Sequence, residues 1–429
     1  MRNRRQFLRD SARIAAGVFA APIILPASAL GRGGSVSPSE RVTLGLIGIG
    51  KQGFSHLYAL AGNKDVQILA VCDVWSDRLE EAKGVVERAC EKRKEKGSYR
   101  GCAAYGDFRE IMTREDIDAV LIATPDHWHA PIAMAGIKAN KDVYCEKPLT
   151  RSIGEARALA AAARRYGCVF QTGSQQRSGR EFRLACEMVR NGRIGRVHTI
   201  HVNVGGPPEL CDLPGEPVPQ LLDWDMWLGP SLWRPYHHDL SPAEARAHFP
   251  AWRKYWNFGG GGMTDWGAHH FDIAQWALGM DGSAPIRVHP PDGAEFPRLT
   301  YEYEGGVAMI HGGGKRGVDF RGENGNIVVD RGFLYTDPEG LDKIPIGPEE
   351  IHLYESTNHH ANWLECIQTR KDPICTADIG GSSATVCHLG NICYRLNRPL
   401  SWDNVQAQFL NDDEANALVN VPMRSPWHV

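Results

Sequence analysis

A glycine-rich turn between an apolar run and a helical pattern constrains this chain more than any other feature of its sequence. Val42–Ile47 has the continuous hydrophobicity of a strand buried on both faces. Gly48, Gly50 and Gly53 follow in G-x-G-x-x-G spacing, and a helical pattern then extends through Leu60. Glycines at this spacing permit a tight turn, a close approach of the backbone to a pyrophosphate, and close packing of helix on strand. The order strand, turn, helix therefore predicts a phosphate-binding βαβ unit.

The second predicted strand, Val66–Asp73, ends on an acid. Asp73 lies 20 residues after Gly53, where a carboxylate accepts the hydroxyls of a ribose and repels a 2′-phosphate. We therefore predict NAD rather than NADP as the cofactor. Lys51 and Gln52, inside the glycine turn, are predicted to contact it as well. The alternative is that Asp73 only caps the next helix, because aspartate is a favoured N-cap.

Strands and helices continue to alternate through residue 174. Ile117–Pro125 and the segments KDVYCEKPL and CVFQTGSQQR have the pattern of buried strands, and SIGEARALAAAARRYG that of a helix ending at Gly167. This alternation predicts an α/β fold with a parallel, doubly wound sheet over residues 40–174. Ligands bind such sheets beyond the carboxyl ends of the strands. The residues predicted there are Thr124, Pro125, Asp126, His127, His129 and Lys147, and the predicted cofactor contacts among the later residues are Thr124, Pro125, His129 and Glu146.

Lys147 stands directly after a predicted strand and before Pro148. The fixed backbone on both sides leaves the lysine little freedom to move into solvent. Beside a nicotinamide, its ammonium could donate to a sugar hydroxyl or to the oxygen that becomes a carbonyl. The alternative is an ordinary surface lysine at a strand end.

Three motifs in order resemble the Gfo/Idh/MocA oxidoreductases, over about residues 41 to 405. They are the turn Gly48–Gly53, the tripeptide Glu146–Pro148, and the D-x-G-x-H-x-x-D run Asp265–Asp272 behind four glycines. The resemblance implies a Rossmann domain followed by an α/β domain with a large open mixed sheet, which often carries an oligomer contact. We accordingly predict a leader at 1–31, domains at 40–174 and 175–405, and a tail at 406–429.

The resemblance also implies that Lys147, Asp265 and His269 are the catalytic residues. A helix beginning near Asp265 would place Asp265 and His269 on one face, toward the nicotinamide. His270, about 100° round the helix, is expected to pack behind the site. Asp272 is expected to hold the far ring nitrogen of His269 and fix its tautomer. In this mechanism His269 removes the proton of a sugar hydroxyl, Lys147 stabilises the oxyanion, and Asp265 orients the hydroxyl.

The paired histidines raise the alternative of a metal site, but no H-E-x-x-H or paired-cysteine spacing is present, and we predict no metal. An aromatic sugar pocket explains the composition better. We expect at least one tryptophan of the segments SLWRPYHHDL and PAWRKYWNFGGGG to line this pocket. The tryptophans considered as surfaces on which a sugar ring could stack are Trp128, Trp224, Trp227, Trp233 and Trp256. The loop Pro207–Pro219 is a candidate lid. The segment ICTADIGGSSATVCHLGNICYRLNR is expected to be a helix packed on the first domain.

The N-terminus predicts export. Arg4 and Arg5 precede the apolar run Ala12–Leu25, and Ala27–Ala29 offers small residues to a peptidase. This is the order of a twin-arginine signal, which carries proteins that are already folded. We therefore predict a periplasmic or otherwise extracytoplasmic protein with no stable membrane insertion after cleavage. The run is too short, and too interrupted by prolines, for a membrane anchor. Eleven cysteines without C-x-x-C spacing fit buried thiols, and a net charge of -3 gives no basic surplus for nucleic acid.

Export creates a difficulty for an NAD enzyme, because the periplasm offers no reliable nicotinamide pool. We therefore expect NAD to be loaded before export and then reduced and reoxidised within each turnover. The predicted substrate is a sugar, polyol or glycoside, and the chain is expected to form a dimer or tetramer. Three reactions remain open: hydroxyl oxidoreduction between sugars, epimerisation, and glycoside cleavage through a transient keto sugar. The Thr-His-Gly pattern associated with NAD-dependent glycosidases is missing where TDWGAHH stands, which favours plain oxidoreduction. A non-catalytic sugar-binding protein is the competing class.

Overall fold

The computed structural model describes residues 40–92, 101–244, 246 and 248–429. The predicted leader, residues 1–31, lies outside these residues. The elements of the first half are β1 (Val42–Ile47), α1 (Lys51–Ala61), β2 (Val66–Cys72), α2 (Ser76–Lys92), β3 (Ala103–Tyr105), α3 (Phe108–Met112), β4 (Ala119–Ile122), α4 (Asp126–Lys138), β5 (Asp142–Cys145), α5 (Ile153–Tyr166) and β6 (Phe170–Thr172).

The six strands of the first half form one parallel sheet in the order β3-β2-β1-β4-β5-β6. Every residue of β4 and β5 is buried, as expected of central strands covered by helices on both faces. Helix α5 ends at Gly167, whose φ of +64° is the left-handed conformation that glycine adopts without strain. The predicted doubly wound sheet is confirmed, and its carboxyl edge is the expected ligand side.

The second half forms a nine-stranded mixed sheet. Its elements are α6 (Arg180–Arg190), β7 (Val197–Val202), α7 (Trp224–Leu228), α8 (Gly261–Asp265), α9 (Gly267–Leu278), β8 (Arg287–His289), β9 (Thr300–Glu302), β10 (Ala308–His311), β11 (Val318–Gly322), β12 (Gly325–Asp330), β13 (Phe333–Asp337), α10 (His359–Thr369), α11 (Ala377–Leu396), β14 (Leu400–Asp403), β15 (Gln408–Phe409) and α12 (Asp413–Ala417). The strand order is β13-β12-β11-β7-β10-β9-β8-β14-β15. Strands β7 and β10 run parallel and their neighbours antiparallel, so the predicted mixed sheet is confirmed. The predicted tail contributes β15 to the sheet edge.

Helix α11 joins the two halves, as the sequence predicts. A side chain at Gly380 would collide with Thr172 at the end of β6, because a Cβ on this glycine would lie 2.2 Å from the threonine Oγ1. Further along the helix, the Nε2 atom of His388 lies 2.9 Å from the carbonyl oxygen of Thr150. These contacts fix the second sheet's helices against the carboxyl edge of the first sheet.

Residues 221–244, 246 and 248–253, which we call the strap, cross the carboxyl edge of the Rossmann sheet. Backbone bonds of 3.0 Å join Ser76 N to Leu221 O and Asp223 N to Val74 O. The indole N–H of Trp75 donates to Ser241 Oγ at 2.9 Å, and that tryptophan is only 1% exposed. The strap is anchored by an aromatic cluster in which Trp224 and Trp227 stack with centroids 4.6 Å apart. Among the described residues, no helix is both long and apolar enough to cross a bilayer.

Candidate active site

Two adjoining cavities lie on the carboxyl edge of the parallel sheet. The first, which we call the dinucleotide cavity, is bounded by the glycine turn on one side and by the strap on the other. Its wall includes the predicted cofactor residues Gly48, Gly50, Lys51, Gln52, Asp73, Thr124 and Pro125, and from the strap Met226, Trp227, Leu240, Ser241, Pro242, Phe249, Pro250, Trp252 and Arg253. The predicted lid, Pro207–Pro219, lines neither cavity. Residues later in the same connection cover the cofactor groove instead.

The three glycines of the turn have different environments. A Cβ on Gly48, whose φ is +87°, would lie 2.7 Å from the backbone nitrogen of Thr124, so this glycine allows two turns to meet. A Cβ on Gly53 would lie 2.0 Å from the carbonyl oxygen of Gly48, so the close packing of α1 on β1 requires glycine at this position. A Cβ on Gly50 would meet nothing within 4 Å, and Gly50 precedes the first turn of α1 without a side-chain cap. The open space at Gly50 and the helix N-terminus together fit a pyrophosphate.

Asp73 is placed to accept ribose hydroxyls. Its Oδ2 accepts from the Ile49 N–H at 2.6 Å and its Oδ1 from the Trp75 N–H at 2.9 Å. Each oxygen retains further lone-pair capacity, because an ionised carboxylate offers about four acceptor sites. Thr124 adds a buried hydroxyl that has no hydrogen-bond partner among the described residues. A carboxylate fixed beside the glycine turn and an unsatisfied hydroxyl on the same wall fit a bound NAD.

The second cavity, which we call the substrate cavity, brings the three predicted catalytic residues together. Lys147, Asp265 and His269 all line it, and it shares Gln52, Thr124, Trp252 and Arg253 with the dinucleotide cavity. The ammonium of Lys147 donates to Asp265 Oδ1 at 2.8 Å and to the Asp265 carbonyl oxygen at 2.6 Å. A lysine from the end of β5 and an aspartate from α8 therefore meet in the wall of the substrate cavity.

The helix predicted to begin near Asp265 is interrupted there. Helix α8 begins at Gly261 and ends at Asp265, and α9 begins at Gly267, with Trp266 between them. The prediction placed the start too late because glycine disfavours helix interiors. Here a close backbone approach overrides that preference, since a Cβ on Gly262 would lie 2.4 Å from the Cα of Gly205.

His269 is buried in the wall of the substrate cavity, and its Nδ1 has no partner among the described residues. Burial first, and then the positive charges of Lys147 and Arg331, hold the pKa of His269 well below its ordinary value of 6.5. The imidazole is therefore neutral, as a general base requires. His270 packs behind the site, where its Nδ1 lies 3.3 Å from the Asn203 carbonyl oxygen.

The predicted contact between Asp272 and His269 is wrong. Asp272 instead pairs with the guanidinium of Arg177, through contacts of 2.8 and 2.9 Å, and accepts from Ser383 Oγ at 2.7 Å. The side chain of Arg177 is 1% exposed, and a buried guanidinium requires carboxylate partners. Asp281 provides the second, at 2.6 Å. The i+3 spacing from His269 to Asp272 did not reveal this competing cation.

Glu146 and His129 line the substrate cavity, but both also brace the backbone around it. Glu146 Oε1 lies 2.8 Å from His56 Nε2 and 2.6 Å from Gln175 Nε2. Burial alone would raise the pKa of Glu146, but the contact with His56 and the charge of Lys147 bring it down to about 2. The ring nitrogens of His129 lie 2.7 Å from the Pro148 carbonyl oxygen and 3.0 Å from that of Thr124. His129 therefore connects the ends of β4 and β5.

The sequence did not single out several residues of the substrate cavity. They are Gln175, Gln176, Glu181, Trp252, Arg253, Trp266 and Arg331. Trp252 fulfils the expectation that the segment PAWRKYWNFGGGG would supply an aromatic wall, whereas Trp224 and Trp227 stack on each other and Trp233 is 66% exposed. Arg331 stands on the turn between β12 and β13, and no pattern in the sequence marks it.

His127 and His129 both contact backbone carbonyl oxygens, whereas in the pair His359 and His360 only His359 does, and His360 Nε2 lies 2.7 Å from His56 Nδ1. His127 Nε2 lies 3.0 Å from the Trp227 carbonyl oxygen, and His359 Nε2 lies 2.9 Å from that of Thr172. The third pair, His237 and His238, gathers around Glu216, with candidate ligand atoms within 4.8 Å of one another. His237 Nδ1 accepts from the Asp239 N–H at 3.1 Å, however, so its proton belongs on Nε2 and faces the carboxylate. The prediction of no metal stays a prediction.

The chain matches two family models. Residues 42–174 match "Oxidoreductase family, NAD-binding Rossmann fold", and residues 209–429 match "Oxidoreductase family, C-terminal alpha/beta domain". NAD is accordingly the cofactor class of the first domain. The similar solved structures include an oxidoreductase domain protein from Kribbella flavida, with a TM-score of 0.57, 20% identity, and coverage of 84% of this chain and 99% of that one. An aldose-aldose oxidoreductase from Caulobacter crescentus, complexed with glycerol, has a TM-score of 0.56 and 17% identity over 84% and 99% of the two chains.

The similar curated proteins carry glycosidase names. Glycosyl hydrolase family 109 protein 1 of Shewanella sp. (strain ANA-3) is 31% identical over 209 residues, which is 46% of this chain and 44% of the relative. An alpha-N-acetylgalactosaminidase of Shewanella oneidensis is 31% identical over 211 residues, with the same shares. The chain thus spans less than half the length of these relatives.

Proposed function

The chain belongs to the Gfo/Idh/MocA oxidoreductase family, and from that premise we propose that it is an NAD-dependent oxidoreductase of a sugar, polyol or glycoside hydroxyl. The observation that carries the proposal is the meeting of Lys147, Asp265 and His269 in one cavity that shares part of its wall with the dinucleotide cavity. Gly50, Asp73 and Thr124 would hold the NAD. When bound, NAD supplies the acceptor for a hydride from the carbinol carbon.

The three catalytic side chains divide the remaining chemistry. His269, neutral because of burial and its cationic neighbours, accepts the hydroxyl proton. Lys147 donates to the same oxygen as negative charge develops on it. Asp265, predicted to orient the hydroxyl, already accepts from the Lys147 ammonium at 2.8 Å, so it also aims that ammonium. A bound hydroxyl would complete the hydrogen bonding of the lysine, which has three donors.

The strap supports the idea that NAD is retained through each catalytic cycle. It forms the outer wall of the dinucleotide cavity, and its indole-to-hydroxyl bond and its backbone bonds to the β2–α2 connection hold it in place. Because these bonds hold the strap over the groove, we expect them to slow the release of NAD. Protein denatured after exhaustive dialysis should therefore release about one NAD per chain, as measured by mass spectrometry. Protein that binds added NAD readily but loses it on dialysis would refute retention.

The oxidoreductase activity itself is tested by absorbance near 340 nm. NAD-loaded protein should gain this absorbance with at least one member of a sugar and glycoside panel. Lys147→Met should abolish the change and keep the bound NAD, because Lys147 lines only the substrate cavity. Lys138→Met, at an exposed lysine at the end of α4, is the matched control. Equal signals from the two variants would remove Lys147 from the mechanism.

A second candidate is glycoside cleavage through a transient keto sugar, which the names of the curated relatives suggest. Asp126 favours it, because burial, partly opposed by Arg253, raises the pKa of this cavity-lining carboxyl well above its ordinary value. A protonated carboxyl is the form that could donate to a leaving oxygen. Release of methanol from a methyl glycoside, lost in Asp126→Asn, would establish cleavage in which Asp126 protonates the leaving oxygen. Absorbance changes without aglycone release would establish plain oxidoreduction.

Export through the twin-arginine route and assembly into a dimer or tetramer also remain proposals. All eleven cysteines are free thiols, and all except the half-buried Cys168 and Cys211 are buried, which suits folding before export. Fractionation of cells that express the full chain, with Arg4→Lys/Arg5→Lys as the control, tests the route. Light scattering of the purified protein gives its oligomeric state.

A further inference from the structure

The cations of the substrate cavity differ in whether the protein neutralises them. Lys147 lies 2.8 Å from Asp265 Oδ1, and Arg253 Nε lies 3.7 Å from the same oxygen. Arg253 also stacks on Trp252, with its guanidinium carbon 4.2 Å from the ring centroid. These two cations therefore share one carboxylate within the cavity wall. The third cation, Arg331, has no ion-pair partner within the described part of the chain.

Arg331 is held in place by neutral groups. Its guanidinium carbon lies 4.8 Å from the ring centroid of Trp266. With the Gln176 amide oriented to satisfy both of its neighbours, Arg331 Nε donates to the amide oxygen at 3.2 Å, and the amide nitrogen donates to the His269 carbonyl oxygen at 3.1 Å. The adjacent Asp330 is engaged elsewhere, with Arg316 Nε at 2.9 Å. The terminal amino groups of Arg331 remain available beside the catalytic imidazole.

The geometry points to a subsite for an anionic substituent of the sugar, a carboxylate or a sulfate ester, formed by Arg331 over Trp266. The inference rests on the proposed function and names the substrate class of the same cavity. A guanidinium fork matches the paired oxygens of a carboxylate or sulfate and binds them through two parallel hydrogen bonds. Trp266 is 43% exposed and borders the cavity, so its free surface can pack on a sugar ring. A neutral sugar offers no charged partner to this guanidinium.

Glu181 is the acidic group on the same wall, and it modulates the subsite. Its Oε1 accepts from the Gly332 N–H at 3.1 Å, one residue beyond Arg331, and it stands in the first turn of α6. Both interactions stabilise the carboxylate without pairing it to the guanidinium. Glu181 would repel an anionic substrate, so Glu181→Gln should tighten the binding of anionic sugars and leave neutral sugars unchanged.

The test compares three ligands that differ in one substituent: methyl glucoside, methyl glucuronide and methyl glucoside 6-sulfate. NAD-loaded protein is titrated with each, and binding is followed by tryptophan fluorescence and calorimetry, separately from absorbance near 340 nm. At least one anionic ligand should bind about 2- to 5-fold more tightly than the glucoside, because Arg331 is exposed and solvent weakens its pairing with an anion. Comparison of the glucuronide with the 6-sulfate shows whether the subsite prefers a carboxylate or a sulfate ester.

The variant Arg331→Met keeps an apolar stem on Trp266 and removes the charge. It should abolish the preference for the anionic ligand without weakening the binding of the neutral one. Arg287→Met, which removes an exposed guanidinium that lines neither cavity, is the matched control. Equal binding of the three ligands, or an equal loss for all three in Arg331→Met, would overturn the subsite. Tight anionic binding without any absorbance change would keep the subsite and contradict the oxidoreductase function instead.

Discussion

Replacement by alanine should weaken NAD binding at Gly50 but destabilise the fold at Gly53, although the two glycines are only three positions apart. Gly50 has a φ of -76°, which any residue adopts, and a Cβ there would meet no protein atom within 4 Å. Gly50→Ala should therefore leave the unfolding free energy of NAD-free protein within about 1 kcal/mol of the parent value, since reduced chain entropy and a poorer N-cap act in opposite directions.

The added methyl group at residue 50 should act on the cofactor. It would occupy the open space that we assign to the pyrophosphate, and overpacking by one methyl group costs about 1–3 kcal/mol. This corresponds to roughly a 5- to 150-fold loss of NAD affinity. Mass spectrometry of dialysed protein should find Gly50→Ala largely empty, and calorimetry should show weaker binding of added NAD.

Gly53→Ala should act on the fold. A Cβ at this position would lie 2.0 Å from the Gly48 carbonyl oxygen and 2.9 Å from the Gly48 carbonyl carbon, and backbone atoms cannot swing aside as a side chain can. We expect a loss of about 1–3 kcal/mol in the unfolding free energy, measured by urea denaturation of NAD-free protein. A Gly50→Ala protein that is unstable without NAD, or that retains NAD fully, would refute the assignment of open space to the pyrophosphate.

Three further predictions concern the catalytic base, the strap and the buried histidines. His269→Ala should lose turnover by at least about 100-fold while retaining NAD. The turnover rate of the parent protein should be constant from pH 8 to about 6.5 and fall only below that, because the lowered pKa of His269 keeps its neutral form populated. A decrease in rate centred at or above pH 6.5 would contradict the effect of burial. Trp75→Phe removes the 2.9 Å bond to Ser241 and should speed NAD loss about fivefold in a dialysis time course, whereas Trp256→Phe, outside both cavities, should not. Burial lowers the pKa of His388 from 6.5 to about 4. Between pH 6.5 and pH 4 the unfolded chain therefore binds a proton that the folded chain does not, so the free energy of unfolding falls as the pH falls. His388→Gln should remove up to about 1.4 kcal/mol per pH unit of this dependence in urea denaturation at pH 7.5 and 5, and an unchanged dependence would show that His388 is not buried in its neutral form.

The features that the sequence predicted well depend on short spacings. The glycine turn, the acid after β2 and the strand-helix alternation each occupy a few neighbouring residues, and local backbone preference and periodicity suffice to identify them. The same holds for Gly167 at the end of α5. The boundary near Asp265 was missed because the glycine run is helical only where another backbone packs against it.

The partners of Lys147 and Asp272 could not be predicted from spacing in the sequence. The meeting of Lys147 and Asp265, which are 118 residues apart, could be expected from the family resemblance but not from spacing. Asp272 was assigned to His269, which is close in sequence, whereas its partner Arg177 is 95 residues away. No local pattern records which buried cation a carboxylate will meet.

The sequence alone therefore determined the nucleotide-binding half and its cofactor class, because these follow from periodicity and from motifs a few residues long. The catalytic side chains that we propose came from the family resemblance. The tertiary structure alone decided which chain segment covers the cofactor groove, which cation pairs with Asp265 and which with Asp272, and that Arg331 lines the same cavity as His269. These outcomes depend on how distant segments compete for the same buried charges and the same surface, and that competition is resolved only when the two sheets pack together.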